Sequence, residues 1–314
     1  MQLVCPRDRQ ALIRHADTLR CAAGHSYPIA DGIPILLTEA ESTHWGFSSR
    51  VPEDVAKDLA EDCEIRSGQH TIDPYVNKAV VWSSGNLYRD MLGGLQRYPI
   101  PEIRLAPGNG RTLLDVGCLW GRWSIAAAQK GYRVIGIDPT LPGVLAARRV
   151  ARQLGVAADF IVGDARHLPF ADHSFDTVFS YSVLQHMAPH DAWESLSEVG
   201  RVLKSGGTSL IQMANSLGIR SVYHQAKRGF GDPGFFGVRY YTPGHMRRQM
   251  EQRIGPTKLT VDGYFGLGIQ ASDKDLMPVF GRAVISASEF LRHSSEKFPP
   301  LKSLADSLYF ESQP

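Results

Sequence analysis

The chain has 314 residues, of which 43% are hydrophobic and 21% charged, with a formal net charge of +2. That is room for a full α/β core plus one or two smaller modules, without the strong positive field that draws proteins to nucleic acid. The start, Met1 to Arg9, is polar and lacks the apolar core of a signal peptide, and no stretch approaches the roughly 18 apolar residues of a spanning helix, so a cytoplasmic protein is expected.

Residues 1–38 read as a compact β-rich module, with short apolar runs broken by Cys-Pro, Ala-Asp, Ala-Gly-His and Asp-Gly. Four cysteines in a chain this long suggest reduced thiols or a metal site rather than disulfides. Cys5, Asp8, Cys21 and His25 are the only zinc candidates, spaced C-x2-D-x12-C-x3-H. Cysteine in place of Asp8 would complete a strong zinc pattern. With aspartate there, zinc is possible, but the expectation is a module without a metal ion, held by apolar packing of "YPIADGIPILL". So small a unit has little core of its own and should lean on its neighbour.

Residues 39–105 form a polar connector or cap, with helical periodicity at Val51 to Ile65 and Leu87 to Leu95. Pro99, Pro101 and Pro107, followed by "GNG", mark a linker. From about residue 106 the pattern changes. The runs "TLLDV", "RVIGID", "DFIVGD", "DTVFSY" and "TSLIQM" alternate with helical stretches, the signature of a parallel sheet with crossover helices. Residues 215–257, rich in Gly, Arg and aromatics, read as a lid-like insertion. "KLTVDGYFG" and "SLADSLYFES" offer two further strands to complete the sheet.

In such a sheet ligands bind beyond the carboxyl ends of the strands. Three of those ends carry Asp115, Asp138 and Asp164. The turn after the first, "DVGCLWG", holds only Gly117 and Gly121 and has Leu119 where a pyrophosphate loop would have glycine. A carboxylate beside a pyrophosphate is unfavourable. A cofactor with a sulfonium, an ammonium and a ribose diol, such as S-adenosylmethionine, would instead suit these acids.

"LLDVGCLWG", "VIGIDP", "GDARHLPFADHSFDTVFSYSVLQHM" and "EVGRVLKSGG" resemble, in order and spacing, the motifs of class I S-adenosylmethionine-dependent methyltransferases. The resemblance covers about residues 111–213. It implies a Rossmann-like, seven-stranded, mostly parallel sheet with flanking helices, in a domain spanning 106–314. It also implies that Asp115 and Gly117 hold the methionine end, with Leu119 and Gly121 in the same loop. Asp138 would take the ribose hydroxyls, and Asp164 with the Ala165 backbone the adenine. Ser180, as a cofactor contact, and Tyr181, as a candidate catalytic residue, would line the methyl path.

His186, just after the fourth strand, is the candidate general base, needed only if the acceptor loses a proton in the transition state; its plainer reading is a packed loop histidine. His190 and His224 are weaker candidates. Phe230, Phe235, Phe236, Tyr240 and Tyr241 would close an apolar acceptor pocket or anchor a surface loop. Arg247 and Arg248 would meet an anionic acceptor or lie on a solvated helix face. No "NPPY"-type sequence follows the fourth strand, so the acceptor chemistry stays open.

The N-terminal stretch "CAAGHSYPIADGIPILL" resembles zinc-ribbon modules of tRNA methyltransferase activators and of rRNA guanine methyltransferases. The favoured expectation is methylation of a small molecule: a metabolite, natural product or lipid-linked intermediate. The alternatives are an RNA methyltransferase and a non-catalytic, cofactor-binding regulator. Nucleic acid is disfavoured because residues 1–38 hold only four Arg and no Lys.

Overall fold

The computed structural model describes residues 2–38, 52–66, 71–234 and 237–314. Phe235 and Phe236 lie outside the described residues, as does Val51 at the start of the first expected helix.

The N-terminal module is a four-stranded antiparallel meander, β1 (Ile13–His15), β2 (Thr18–Arg20), β3 (Ser26–Ala30) and β4 (Ile33–Leu36). Asp31 and Gly32, at φ 48° and 82°, make the tight two-residue turn between β3 and β4. Only a few side chains, among them Cys5, Leu19, Cys21, Tyr27 and Leu36, form its own apolar cluster. The module is therefore joined to the rest of the chain along its length. Strand β4 runs parallel to β7 (Asp159–Gly163), pairing Ile35 with Val162 and Leu36 with Gly163. The Val4 amide donates to Pro169 O at 3.0 Å, and Arg9 reaches Glu198 at 3.0 Å.

The connector supplies α1 (Pro52–Arg66), α2 (Pro74–Ser84) and a 3-10 turn at Asn86–Met91. Helix α2 was not expected from periodicity, yet it starts on a clear signal. The Asp73 carboxylate accepts from the Tyr75 and Val76 amides at 2.9 and 3.4 Å, and Pro74 opens the first turn.

The main sheet contains β5 (Thr112–Val116), β6 (Arg133–Asp138), β7, β8 (Phe175–Tyr181), β9 (Leu203–Ala214), β10 (Thr257–Gly263) and β11 (Ser307–Ser312). Their order is β7-β6-β5-β8-β9-β11-β10, with β11 antiparallel to both neighbours and the other pairs parallel. The expected seven strands are present, and the N-terminal meander extends them into one eleven-stranded sheet. Helices α3 (Arg122–Gln129) and α4 (Leu141–Gln153) follow β5 and β6. Helices α5 (Pro189–Val202), α6 (Ile219–Lys227), α7 (Pro243–Arg253) and α8 (Val279–Lys297) complete the layers.

Within the stretch expected as a lid, α7 is an ordinary layer helix that buries Met246 and Met250 in the main core. Helix α6 is different: only Ser221 is buried on it. Among the described residues no helix is long and apolar enough to cross a membrane.

Candidate functional site

The sheet changes direction between β5 and β8, which leave from a common centre toward opposite edges. A crevice at such a switch point is where open α/β sheets take ligands. Asp115, Asp138 and Asp164 all reach this rim and are 1%, 6% and 6% exposed.

Asp115 accepts from Ser124 Oγ at 2.6 Å, and no basic side chain pairs with it among the described residues. Burial, helped by the nearby charge of Asp138, pushes its carboxyl up to about 7. Asp138 holds the loop in place, accepting from the Leu119 amide at 3.0 Å and the Thr140 amide at 2.9 Å. Asp164 is clasped by Arg166 at 2.6 Å, and Arg166 also reaches Asp191 at 3.1 Å. Arg166 had drawn no notice in the sequence, although its place two residues after Asp164 is the one signal that it could turn back.

Two glycines in this loop do different things. Gly117 has φ 79°, and a Cβ built there would lie 2.2 Å from Val183 Cγ2. It lets the loop after β8 rest on the turn after β5. Gly121 also has φ 79°, but its missing Cβ makes room for Ala147 and the Phe160 ring at 3.0 and 3.2 Å. Gly121 therefore also serves the packing of α3 against α4 and β7.

Leu119, at φ 46°, turns its side chain toward Gly143 of α4. Neighbouring Trp120 is fully buried and sits 6.1 Å from the Tyr98 ring. The bulk in this loop thus packs on α4 and the connector. Ala165 is 9% exposed and joins the main core.

Ser180 and Tyr181 are both engaged by partners within the chain. Ser180 Oγ donates to Val116 O at 3.0 Å, tying β8 to β5 inside the sheet. The Tyr181 hydroxyl donates to Asp262 at 2.6 Å and accepts from Gln270 at 3.0 Å. Burial and Asp262 raise it well above the ordinary phenol range. Its hydroxyl is held inside a buried network, so no proton-transfer role follows from this geometry.

Beside the rim lies a cavity of about 450 Å³. Tyr181, Ser182, Gln185 and His186 form one wall, the loop around Phe265 to Ile269 another, and Arg220, His224 and Arg228 of the α6 segment a third. Val238 and Tyr240 line it as well, so part of the expected aromatic stretch does reach the pocket. Arg247 does not: it pairs with Glu251 at 2.8 Å on the exposed side of α7. His190 is 87% exposed beside Glu194.

In the N-terminal module Cys5, Asp8, Cys21 and His25 converge, with ligand atoms all within 4.8 Å of one another. His25 Nδ1 is 3.4 Å from both sulfurs and 3.0 Å from Asp8 Oδ2, which is 3.3 Å from Cys21 Sγ.

This fold and acidic rim define a Rossmann-like domain whose donor set suits a cationic, phosphate-free cofactor. Asp115, buried without a basic partner, is the observation that makes the fit. Residues 114–211 match the family model described as a methyltransferase domain. The chain is 31% identical over 111 residues to a ubiquinone biosynthesis O-methyltransferase of Azorhizobium caulinodans, covering 35% of this chain and 43% of that one. It is 36% identical over 124 residues to a malonyl-[acyl-carrier protein] O-methyltransferase of Serratia marcescens, covering 38% and 46%. It is 30% identical over 176 residues to an uncharacterized methyltransferase of a Mycobacterium species, covering 56% and 66%. The chain spans about half the length of the curated relatives it matches. Residues 114–211 are thus a methyltransferase domain of the class I S-adenosylmethionine-dependent type.

Proposed function

We propose that this chain is a methyltransferase that methylates a small-molecule acceptor seated in the cavity beside α6. One observation carries the reading. The segment 182–186 faces two ways, with Val183 resting on Gly117 of the rim while Ser182, Gln185 and His186 line the cavity. A cofactor at the rim and an acceptor in the cavity would therefore be neighbours.

S-adenosylmethionine, when bound, supplies a methyl group on a sulfonium. Asp115 would balance that cationic end, Gly117 would let it approach the backbone, Asp138 would accept from the ribose hydroxyls, and Asp164 with Ala165 would face the adenine. Placing the acceptor in line with the methyl, away from water, contributes much of such catalysis. His186 would take the proton where the acceptor is a hydroxyl or a protonated amine. On this reading the units are the module 1–38, the connector 39–105 and the methyltransferase domain 106–314.

Incubation of the protein with methyl-labelled cofactor and cell extract tests the reading. Label is expected in the small-molecule fraction; label in RNA, or in no fraction, overturns it. His186→Ala should lower the rate and alter its pH profile; an unaltered profile rejects the base role.

For the N-terminal module we propose a single zinc ion, against the expectation from its spacing. Four ligand atoms within 4.8 Å of one another, with four of the pairs 3.0 to 3.4 Å apart, are what supports it. Tetrahedral zinc with bonds of about 2.0 to 2.3 Å sets its ligands about 3.3 to 3.8 Å apart. Elemental analysis should find stoichiometric zinc that Cys21→Ser loses; protein purified without stoichiometric metal refutes the site.

A further inference from the structure

The cavity has a charge pattern that the proposed reaction does not require. Arg220 and His224 on α6, and Arg228 just past its end, are four residues apart and so share one helical face. All three line the cavity. Among the described residues none of them forms an ion pair. Arg220 donates to Phe265 O at 3.2 Å and Arg228 to Val238 O at 2.8 Å, both backbone carbonyls. Arg228 Nε is buried with no hydrogen-bond partner, and its guanidinium lies 5.2 Å from the centre of the Tyr240 ring.

Asp306 is the one carboxylate among the cavity-lining residues, and its oxygens are already engaged. Oδ1 accepts from the Ser221 amide at 2.7 Å and hydroxyl at 3.0 Å, and Oδ2 from the Phe265 amide at 2.8 Å. It serves to fix the start of α6 against the opposite wall. The field inside the cavity is therefore positive. His224 registers it: burial first, then Arg220, Lys227 and Arg228 against the opposing pull of Asp306, hold the imidazole below its ordinary value. It is accordingly neutral at neutral pH and offers hydrogen bonding rather than charge.

Arg228 is half-buried, and within the chain its charge meets only a backbone carbonyl and the face of Tyr240, while Arg220 stands exposed at the cavity mouth with its charge open to a ligand. A ligand oxyanion would supply the missing partner, and the planar guanidinium is suited to bidentate contact with one. The opposite wall, with Leu87, Phe265 and Ile269, is apolar.

We propose that the acceptor is an amphipathic acid whose carboxylate or phosphate is held by Arg220 and Arg228, with its apolar body against the Phe265 wall. This rests on the cavity being the acceptor site, and its test is one of binding, which needs no methyl transfer.

The probes are 4-hydroxybenzoate, phenyl phosphate and neutral phenol, titrated by calorimetry into the full chain. At least one anion should bind more tightly than phenol. Arg220→Gln with Arg228→Gln should weaken that anion by about tenfold or more, the scale of charge-assisted hydrogen bonds, and leave phenol unchanged. Arg228→Lys should restore part of the loss, and Arg247→Gln on α7 should change nothing. Preference for 4-hydroxybenzoate assigns a carboxylate, and for phenyl phosphate a phosphate. Failure of both anions to bind the wild type overturns the proposal, as does equal binding by the double variant. Arginine-dependent binding in a protein that transfers no methyl group would keep the anion site and reject the proposed function, and with it the ligand's role as acceptor.

Discussion

The arginines on two sides of the sheet face different things. On the connector side, Arg122 and Arg149 are 3% and 6% exposed, and each is matched by carboxylates. Arg122 pairs with Asp273 and donates to Pro99 O at 2.7 Å and the Tyr88 hydroxyl at 3.1 Å. Arg149 pairs with Asp62 and with Asp73, the latter at 2.6 Å. These bonds tie α3 and α4 to the connector and to the loop before α8. On the cavity side, among the described residues, Arg220 and Arg228 hydrogen-bond only to backbone carbonyls. The acidic rim shows the converse, with Asp115 buried and no basic side chain paired to it. Charges matched within the chain hold the fold, whereas charges left unmatched beside a cavity mark where ligands of the opposite sign belong.

The sharpest way to break this contrast is Asp273→Ala. It leaves the Arg122 guanidinium buried without its counter-charge and should cost about 3 to 5 kcal/mol in urea unfolding. By contrast Arg220→Gln should stay within about 0.5 kcal/mol of wild type. Comparable losses in the two variants would dissolve the distinction.

Gly117→Ala comes next. A side chain at φ 79° that also overlaps Val183 should destabilise by about 1 to 3 kcal/mol. Val183→Ala in the same chain should recover part of it, and additive losses in the double variant would show that the contact is not the cause.

Asp138→Ala removes the acceptor of the Leu119 amide and the carboxylate assigned to the ribose. Affinity for S-adenosylmethionine should fall about tenfold or more by calorimetry, while anion binding at Arg228 stays as it was. Unchanged cofactor affinity removes Asp138 from the site.

The last effect is the pH dependence that Asp115 brings. With its folded carboxyl near 7 and an unfolded value of about 3.9, Asp115 binds its proton more tightly in the native state. Its contribution favours the fold below about pH 4 and is lost as pH rises through 7. A cationic cofactor favours the ionised form, so its affinity should rise as pH climbs toward and past 7. Asp115→Asn should flatten that profile, and an identical profile in the variant would assign the dependence elsewhere.

Much of the fold was legible because burial leaves a period in the sequence. "TLLDV", "RVIGID" and "DTVFSY" became β5, β6 and the body of β8, each ending at the rim as expected. Helix α2 escaped notice because its evidence is a cap, Asp73-Pro74, rather than a clean apolar stripe. The acids of the rim could be read because they stand at strand ends. The Arg166 clasp on Asp164 and the hydroxyl bonds of Tyr181 could not, since each depends on rotamers or on partners as distant as Asp262.

The sequence by itself determined the alternation of strands and helices, the three acids at consecutive strand ends, and the spacing of Cys5, Asp8, Cys21 and His25 near the N-terminus. Periodicity and local spacing encode these directly. Only the tertiary structure decided that Leu119 and Trp120 pack inward, that β4 completes the edge of the main sheet, and that Arg220 and Arg228 share a cavity with His186. Those outcomes join residues tens of positions apart, and it is packing around a common core that brings them together.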